Sequence, residues 1–402
     1  MINITNKYNY YFYSLLALLV VVLLFVSNTL SISYKEALNV FENNSLLTYI
    51  TNTSLYLFGQ NDIALRIPFI IFYVLSVLLM HRITDKFFSY ESDRFISICI
   101  FMFLPGVLSA SLLVNSAIIV IFLTLLYVFY YQKTKKHSYL LLCLFLFVDN
   151  SFAILYLALF AYTLKESTNK KDKMLWISLI LFISSMCIYG FDTLGKPRAY
   201  FLDTIAIYAT IFSPFLFIYF FYCIYRISFK EKEKSLIWYI SITALLISFI
   251  FSFRQKVYIE DFAPYVVIAI PLMLKIFFHS YRVRLKEFRG KHNITAGIVL
   301  TMLFGNVFLT IVHNPVYLLL PNPKKHFIYK YDFIKELAQE LKKNGIDEVF
   351  SEDDKLLLRL KFYGINKGNK YFITTNKFDK YNLKISIDYY NRKLYKIYIK
   401  QM

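Results

Sequence analysis

Long apolar runs recur along most of this chain, and they constrain its fold more than any other feature. Hydrophobic residues make up 58% of the 402 residues and charged residues 18%, against about 25% charged residues in soluble domains. Because a helix needs about 20 apolar residues to cross a bilayer, the runs predict an all-α polytopic membrane protein with about eleven transmembrane helices. The predicted spans are 10–30, 64–82, 95–110, 112–131, 138–149, 150–164, 174–191, 205–228, 236–253, 263–278 and 294–313.

Basic residues concentrate between the apolar runs, and this distribution predicts the orientation of the chain. The formal net charge is +19. Because cytoplasmic loops of membrane proteins are enriched in Lys and Arg, we attribute this net charge to cytoplasmic loops and expect no nucleic-acid partner. The N-terminus is then cytoplasmic, the first loop at 31–63 is extracytoplasmic, and the protein belongs to the inner (plasma) membrane. The basic loops are 81–86, 132–136, 165–173, 230–234 and 282–291.

The segment 138–164 allows two interpretations of the topology. It has about 27 residues, which is too long for one span and short for two. Asp149-Asn150-Ser151 interrupts its middle, and both of its ends are basic. These features favour a tight pair of short helices with Asp149 near the turn. The competing interpretation is one tilted helix with a buried Asp149. It would reverse the membrane orientation of every segment after residue 164.

The composition changes after residue 313, and this change divides the chain into two predicted domains. Residues 1–313 form the transmembrane domain, and residues 314–402 form a small extracytoplasmic α/β domain. Tyr331 to Asn344 has the apolar spacing of an amphipathic helix, and Gly345 follows as a stop signal. Two strands are predicted at Leu383–Tyr389 and Leu394–Lys400.

Several familiar site signatures are absent from the sequence. It contains no internal repeat, P-loop or dinucleotide-binding motif. The cysteines all fall inside apolar runs without metal-ligand spacing, so we interpret them as packing residues. The sequence therefore implies neither a soluble cofactor nor a metal site.

The first loop, Leu30 to Pro68, is the best candidate for function. Its helical spacing of apolar residues around Glu36 predicts a helix lying in the membrane interface, with the Glu36 carboxylate held at headgroup level. A carboxylate there can deprotonate an acceptor or stabilise an oxocarbenium-like sugar. The alternative is a solvated Glu36 paired with Lys35.

A lipid-linked sugar donor also needs cations for its phosphate, and the predicted outer loops supply them. Residues 192–204 and 254–262 carry basic side chains on the face where such charge should be depleted. Charge-assisted hydrogen bonds from these side chains suit a phosphate, although a few outer cations are also ordinary. The candidate phosphate-binding residues are Arg66, Lys196, Arg198, Arg254 and Lys256.

One stretch of the first loop resembles a known family. Leu57-Phe58-Gly59 and Ala64-Leu65-Arg66-Ile67-Pro68 match the motif that opens the second span of membrane glycosyltransferases of the GT-C fold. The resemblance is to the dolichyl-phosphate-mannose protein mannosyltransferase and aminoarabinose transferase (family 39-like) group, and it extends weakly to Ala263–Pro271. It implies transfer of a sugar from a polyprenyl-phosphate donor to a glycan, lipid A or protein acceptor on the extracytoplasmic face, among membrane lipids.

The chain departs from the family pattern at the positions that carry catalysis. The family has an acidic pair where this chain has Lys35-Glu36, and the proline-rich segment that supplies a phosphate-binding lysine is reduced to Thr53–Tyr56. The second acid of the family aligns with Asn115 or Ser116. Either Glu36 acts as the base, or the acid comes from elsewhere, for example Asp149 or Asp261. The candidate substrate-binding residues are Tyr56, Asn115, Asp261 and Tyr265.

Two further interpretations stay open at this point. The lost acidic positions suit a non-catalytic relative that acts as a scaffold or lipid-binding subunit of envelope assembly. A transporter is less favoured, because transporters are typically built from repeats and helices broken at the midplane. Arg66 has an alternative role as well, in which it pins the end of the amphipathic stretch to the second span.

Overall fold

The structure is a computed structural model, and contacts between residues divide it into two compact units. The first unit comprises Met1–Val20 and Ile71–Thr310, and the second comprises Val21–Ile70 and Ile311–Met402. The first and fourth helices therefore contribute to both units. The structure describes residues 4–166, 173–190, 193–194, 197–231, 234–312, 315–319, 327–376, 381–389 and 392–401.

The first unit is almost entirely helical, as the apolar runs predicted. A two-stranded ribbon joins two of its loops, with β1 at Thr193–Leu194 antiparallel to β2 at Lys256–Val257. Its helices, including the two that it shares with the second unit, are α1 (Ile4–Thr29), α4 (Asp62–Thr84), α5 (Glu91–Met102), α6 (Pro105–Leu112), α7 (Ala117–Thr134), α8 (Tyr139–Phe145), α9 (Phe152–Glu166), α10 (Lys173–Ile188), α11 (Phe201–Phe212), α12 (Pro214–Lys230), α13 (Leu236–Ser252), α14 (Ile259–Val267), α15 (Ile270–Val283) and α16 (Lys286–Ile311).

Prolines explain where the long apolar runs break into helix pairs. Pro105 opens α6 and Pro214 opens α12, because proline lacks the N–H that would continue the preceding helix. The chain bends by 51° between α5 and α6, by 104° between α11 and α12, and by 40° between α14 and α15. Gly106 lets α6 approach α11 closely, since a Cβ at this position would clash with the side chain of Ile211.

The helices support a multi-pass membrane protein but correct one predicted span. Among the described residues, four helices are long and apolar enough to cross a membrane, or up to seven if each bent pair is one span. Three shorter apolar helices, in α9, α10 and α13, accompany them. The predicted span at 138–149 is wrong as a full crossing. Its helix α8 has seven residues, about 10 Å at 1.5 Å per residue, against a hydrocarbon core of about 30 Å.

The second unit combines the first loop with the C-terminal residues. The loop forms α2 (Tyr34–Phe41) and α3 (Leu46–Phe58) between α1 and α4. The sheet has the order β3-β4-β6-β5, with β3 parallel to β4 and the other pairs antiparallel. The C-terminal elements are α17 (Val316–Leu319), a 3₁₀ turn (Phe327–Tyr331), α18 (Ile334–Lys343), β3 (Glu348–Phe350), α19 (Asp354–Phe362), β4 (Asn366–Thr374), β5 (Leu383–Tyr389) and β6 (Arg392–Gln401).

The predicted C-terminal α/β domain is therefore confirmed as a small helix-and-sheet fold. Helix α18 buries the apolar stripe that the sequence showed, including Leu337 and Leu341, against isoleucines of the sheet. It ends before Gly345, whose φ of 68° suits the left-handed residue that follows a helix.

The first loop belongs to the same compact unit as the C-terminal residues, which differs from the predicted division at 313/314. Ser31 N donates to Tyr331 O at 2.7 Å, and Gln60 Nε2 donates to Phe362 O at 2.8 Å. Both hydrogen bonds join the first loop to the C-terminal domain within the second unit.

Helix α3 is amphipathic with its polar face inward. Its buried residues are Thr48, Thr51 and Ser54, and the first two hydrogen-bond to Asn39 of α2 at 3.0 Å. Large apolar side chains cover the opposite face. A helix that hides its hydroxyls and exposes its aromatic residues suits the membrane interface. The exposed set is Leu46, Tyr49, Tyr56, Leu57 and Phe58.

Candidate functional site

Arg66 lies at the centre of a buried polar network in the second unit. Its side chain is 0% exposed, and its guanidinium donates to the carbonyl oxygens of Ser27 at 3.4 Å, Leu30 at 3.2 Å, Ser31 at 3.2 Å and Asp62 at 3.1 Å. The last carbonyls of a helix lack partners within it. Arg66 supplies such partners to α1, and its positive charge suits the negative end of the helix dipole.

Two buried carboxylates flank this guanidinium. Glu36 Oε2 lies 3.5 Å from Arg66 Nη2, and Asp62 Oδ1 lies 3.8 Å from Arg66 Nη1. Glu36 also completes a capping box at the start of α2, where Oε2 accepts from Ser33 N at 2.8 Å. Such a box holds the first turn of a helix by satisfying two backbone N–H groups reciprocally.

The C-terminal domain completes the network around Asp62. Lys335 Nζ lies 2.9 Å from Asp62 Oδ2, and the Tyr363 hydroxyl donates to Asp62 Oδ1 at 2.7 Å. Burial, and then the neighbouring Asp62, raises the pKa of Tyr363 above its usual range, so the phenol stays a neutral donor. We call Glu36, Asp62, Arg66, Lys335 and Tyr363 the loop network.

A second arginine joins the same parts of the chain. Arg359 Nε donates to Ile32 O and Arg359 Nη2 donates to Lys330 O, both at 2.8 Å. Burial lowers the pKa of Arg359 to about 10, so its guanidinium is still charged at neutral pH. Two buried arginines therefore fasten the first loop, one to α1 and the other to the C-terminal domain.

This arrangement favours structural roles for Glu36 and Arg66. Glu36 is 2% exposed and paired with Arg66, so the alternative of a solvated acid paired with Lys35 is wrong. The four hydrogen bonds of Arg66 described above go to backbone carbonyls. They match the pinning role rather than the phosphate-binding role. The catalytic role of Glu36 stays a prediction.

Another group of predicted residues meets in the first unit. The Tyr265 hydroxyl on α14 interacts electrostatically with the carboxylates of Asp149 and Asp261, and it lies beside the Ser151 hydroxyl. We call these four residues the acid–hydroxyl cluster. The structure thus brings Asp149, which follows α8, near Asp261 and Tyr265 of α14, more than a hundred residues further along the chain.

The hydroxyls of this cluster are unsatisfied. Tyr265 Oη and Ser151 Oγ are buried, and neither makes a hydrogen bond of good geometry to any residue that the structure describes. Leaving a buried hydroxyl unpaired costs about 1–3 kcal/mol, so a native protein rarely does so without reason. Asp149 and Asp261 are only partly buried. Asp149 Oδ1 accepts from Ser151 N at 2.9 Å, which holds the break between α8 and α9.

The ribbon β1–β2 brings the predicted loop cations together. Arg198 N donates to Arg254 O at 3.1 Å, and Arg254 lies two positions before Lys256 of the ribbon. All three side chains are exposed, and the described part of the chain places no carboxylate within salt-bridge distance of them. We call Arg198, Arg254 and Lys256 the loop cations. Lys196 lies outside the described residues.

The remaining predicted residues stand apart from these groups. Tyr56 is 89% exposed on the apolar face of α3. Asn115 Oδ1 accepts from Ala117 N at 3.1 Å at the start of α7. No three His, Cys, Asp or Glu side chains of the described residues converge on a point that could hold a metal ion.

Sequence reasoning missed several members of the loop network. Asp62 stands four residues before Arg66, a spacing that places opposite charges on one helix face and could have been recognised. Lys335 and Tyr363 of the network, and Arg359 outside it, carry no local signal, because their partners in the first loop lie about 300 residues away along the chain. Ser151 was noticed only as an interruption of an apolar run.

Comparison with solved structures identifies the fold. The structure of ArnT from Cupriavidus metallidurans bound to undecaprenyl phosphate is 13% identical, with a TM-score of 0.50 and coverage of 88% of this chain and 75% of that one. The apo state of the same protein is 12% identical, with a TM-score of 0.51 and coverage of 88% and 74%. No family model matches this chain, and no curated protein matches it in sequence. The chain therefore has the GT-C fold, as the first loop predicted.

Proposed function

We propose that this protein is a membrane glycosyltransferase that takes a sugar from a polyprenyl-phosphate donor. Its acceptor is a glycan, a lipid such as lipid A, or a protein on the extracytoplasmic face. The fold of ArnT, whose structure holds undecaprenyl phosphate, supports this class of donor. The observation that carries the proposal is the acid–hydroxyl cluster, where two partly buried carboxylates lie near two buried hydroxyls that make no hydrogen bond of good geometry to a described residue.

Asp149 is the proposed general base. It would take the proton from an acceptor hydroxyl or amine as that group attacks the anomeric carbon of the donor sugar. The bond between this carbon and the phosphate oxygen breaks, and the polyprenyl phosphate leaves with the bonding electrons. General-base assistance of this kind contributes about 10²–10⁴ in rate. Asp261 and Tyr265 would orient the sugar or the acceptor.

The loop cations would hold the donor phosphate. A backbone hydrogen bond joins exposed Arg198 to exposed Arg254 near the ribbon, and exposed Lys256 precedes Asp261 of the acid–hydroxyl cluster by five positions in the sequence. Cations placed where negative charge develops on the leaving phosphate stabilise the transition state. In this proposal Arg66 supports the first loop and does not contact the donor.

The orientation belongs to the proposal as well. The N-terminus is cytoplasmic, and the first loop and C-terminal domain are extracytoplasmic, because the basic loops then lie inside. Reporter fusions at positions 136, 168 and 330 test it. We expect inside signals from the first two and an outside signal from the third.

A variant that changes only Asp149 tests the catalytic assignment. Asp149→Asn keeps an oxygen for the Ser151 N–H but removes the base, so the modification should fall by about 10²-fold or more while protein level stays normal. Mass spectrometry of lipid A, envelope glycans and envelope proteins from the gene deletion first identifies the lost modification. Asp203→Asn is the matched control, because Asp203 is an exposed carboxylate on α11 outside the cluster.

The deletion strain and strains that carry single carboxylate variants decide between the remaining interpretations. If Glu36→Gln removes the modification at normal protein level while Asp149→Asn retains it, Glu36 is the base. If the deletion removes the modification but Asp149→Asn, Asp261→Asn and Glu36→Gln all retain it, the protein is a scaffold or lipid-binding subunit. The substitution of Lys35 for the first family acid is the observation that favours this second candidate.

A further inference from the structure

The first unit contains a largely apolar cavity of about 360 Å³ between α5, α12, α15 and α16. Ligand cavities in proteins commonly measure about 300–1,000 Å³ and are mostly apolar with a few polar groups at one place. Side chains that line its apolar part include Leu216, Met273, Phe277 and Val299. The cavity is therefore large enough and apolar enough for part of a hydrocarbon chain.

Loose packing of α16 explains why this space exists. The helix has 26 residues, yet only 11% of its most apolar window is buried. Leu303 and Val307 are its buried residues among those described. The half that lines the cavity, from His292 to Leu300, leaves a gap to the neighbouring helices. In a bilayer, hydrocarbon chains surround such a helix and can enter the gap.

The polar groups of the cavity gather where α15 ends and α16 begins. Ser280, Arg284 and His292 line it there. The His292 ring stacks on Phe277 with centroids 4.7 Å apart, and its Nε2 is buried without a hydrogen-bond partner among the described residues. Arg226 Nη1 donates to Ser280 Oγ, which adds a second guanidinium at this end.

The charge at this end of the cavity is positive and uncompensated. Arg284 is exposed, and the described residues offer it no carboxylate within salt-bridge distance. The nearby carboxylate of Asp93 is already paired with Arg282. A guanidinium and an unsatisfied imidazole nitrogen beside an apolar space match a phosphate joined to a hydrocarbon chain.

We infer that this cavity binds an anionic glycerophospholipid of the surrounding membrane. One acyl chain fills the apolar part, and the phosphate lies against Arg284 and His292. The site is separate from the proposed donor site, because the loop cations precede α14 whereas Arg284 and His292 follow α15. The two phosphate sites thus lie at opposite ends of the α14–α15 pair.

Lipid binding to the purified, delipidated full-length protein tests the inference. Native mass spectrometry in detergent would compare phosphatidylglycerol with phosphatidylcholine, undecaprenyl phosphate and inorganic phosphate. Arg284→Gln removes the charge, and Ala296→Phe fills the cavity from α16. Lys291→Gln is the matched control, because Lys291 is an exposed cation next to His292 that does not line the cavity.

We expect phosphatidylglycerol to bind more tightly than the other three compounds. Arg284→Gln should weaken the binding of phosphatidylglycerol by about tenfold or more, since a hydrogen bond to a charged group contributes that much. Ala296→Phe should weaken it by a similar factor, because the larger side chain occupies the space of the acyl chain. Lys291→Gln should bind as the unchanged protein does. Equal binding by all variants overturns the site. Tighter binding of undecaprenyl phosphate that depends on Arg284, or binding of inorganic phosphate alone, overturns the occupant.

Discussion

The two polar groups of this molecule differ in how completely their members are paired. In the loop network, Glu36 and Asp62 are buried and each lies within 4 Å of a cation. In the acid–hydroxyl cluster, the buried hydroxyls of Tyr265 and Ser151 make no hydrogen bond of good geometry to a described residue. Paired buried charges lose stability when one partner is removed, whereas polar atoms without a well-formed hydrogen bond can still accept one from another molecule. The most conspicuous acid in the sequence, Glu36, belongs to the paired group.

The largest effect should follow from breaking the loop network at its centre. Arg66→Met leaves Glu36 and Asp62 buried without their shared cation, which should lower the free energy of unfolding by about 3–5 kcal/mol. Thermal unfolding of the purified full chain measures it. Arg254→Gln is the control, because this exposed arginine should change stability by less than about 0.5 kcal/mol. Equal stability of Arg66→Met and Arg254→Gln would show that the loop network does not stabilise the fold as proposed.

Substitution of a loop cation should have a smaller effect, and this effect should be on donor binding rather than on stability. Arg254→Gln should raise the KM for the lipid-linked donor about tenfold and leave kcat nearly unchanged, because it removes a contact made equally before and during the reaction. Steady-state kinetics with the donor identified from the deletion strain measure both constants. A fall in kcat at constant KM would instead place Arg254 at the reacting bond.

A smaller effect, on stability, is expected from removing the hydrogen bond between the C-terminal domain and Asp62. The Tyr363 hydroxyl donates to Asp62 at 2.7 Å and accepts from Ile32 N at 3.0 Å. Tyr363→Phe should therefore lower the free energy of unfolding by about 1–2 kcal/mol at pH 7. Tyr381→Phe, at an exposed tyrosine of the same domain, is the control.

The pH dependence of this difference has a definite sign. The folded state raises the pKa of Tyr363 above that of the unfolded chain. Its contribution is complete below about pH 10 and decreases as the pH rises further. The stability gap between the unchanged protein and Tyr363→Phe should thus stay constant up to about pH 10 and narrow above it. A gap that widens would contradict the burial of a neutral phenol.

The smallest effect is expected at Glu336, beside the loop network. Burial raises the pKa of this carboxyl despite the hydrogen bond that Tyr389 donates to it at 2.7 Å. Its stabilising contribution is complete below about pH 4 and is lost as the pH rises through the raised pKa. Glu336→Gln keeps the acceptor without the charge. It should increase stability slightly at pH 7, by less than about 1 kcal/mol, and show no gain at pH 4.

Sequence reasoning succeeded where the signal was local. The apolar runs predicted the spanning helices, and Asp149-Asn150-Ser151 predicted a break that lies between α8 and α9. The motif from Phe58 to Pro68 predicted the fold, because it is a continuous stretch. The capping box of α2 could also be read from Ser33 and Glu36, three positions apart.

The pairing of side chains over long distances could not be predicted in the same way. Glu36 looked like a loop acid, since nothing near it in the sequence shows that Arg66 is buried beside it. Tyr265 and Asp149 meet only through the packing of α14 near the break between α8 and α9. Periodicity fixes which face of a helix is buried, but it does not specify which helix covers that face.

The contact between Tyr363 and Asp62 also has a consequence for biosynthesis. The two residues are 301 positions apart, and a ribosome adds about 5–20 residues per second. Asp62 and Arg66 therefore emerge roughly 15–60 s before Tyr363, and during that time the first loop lacks its C-terminal partners. The loop can reach its final arrangement only when translation is almost complete. A nascent chain of this length would need the insertion machinery or a chaperone to protect the loop while it waits.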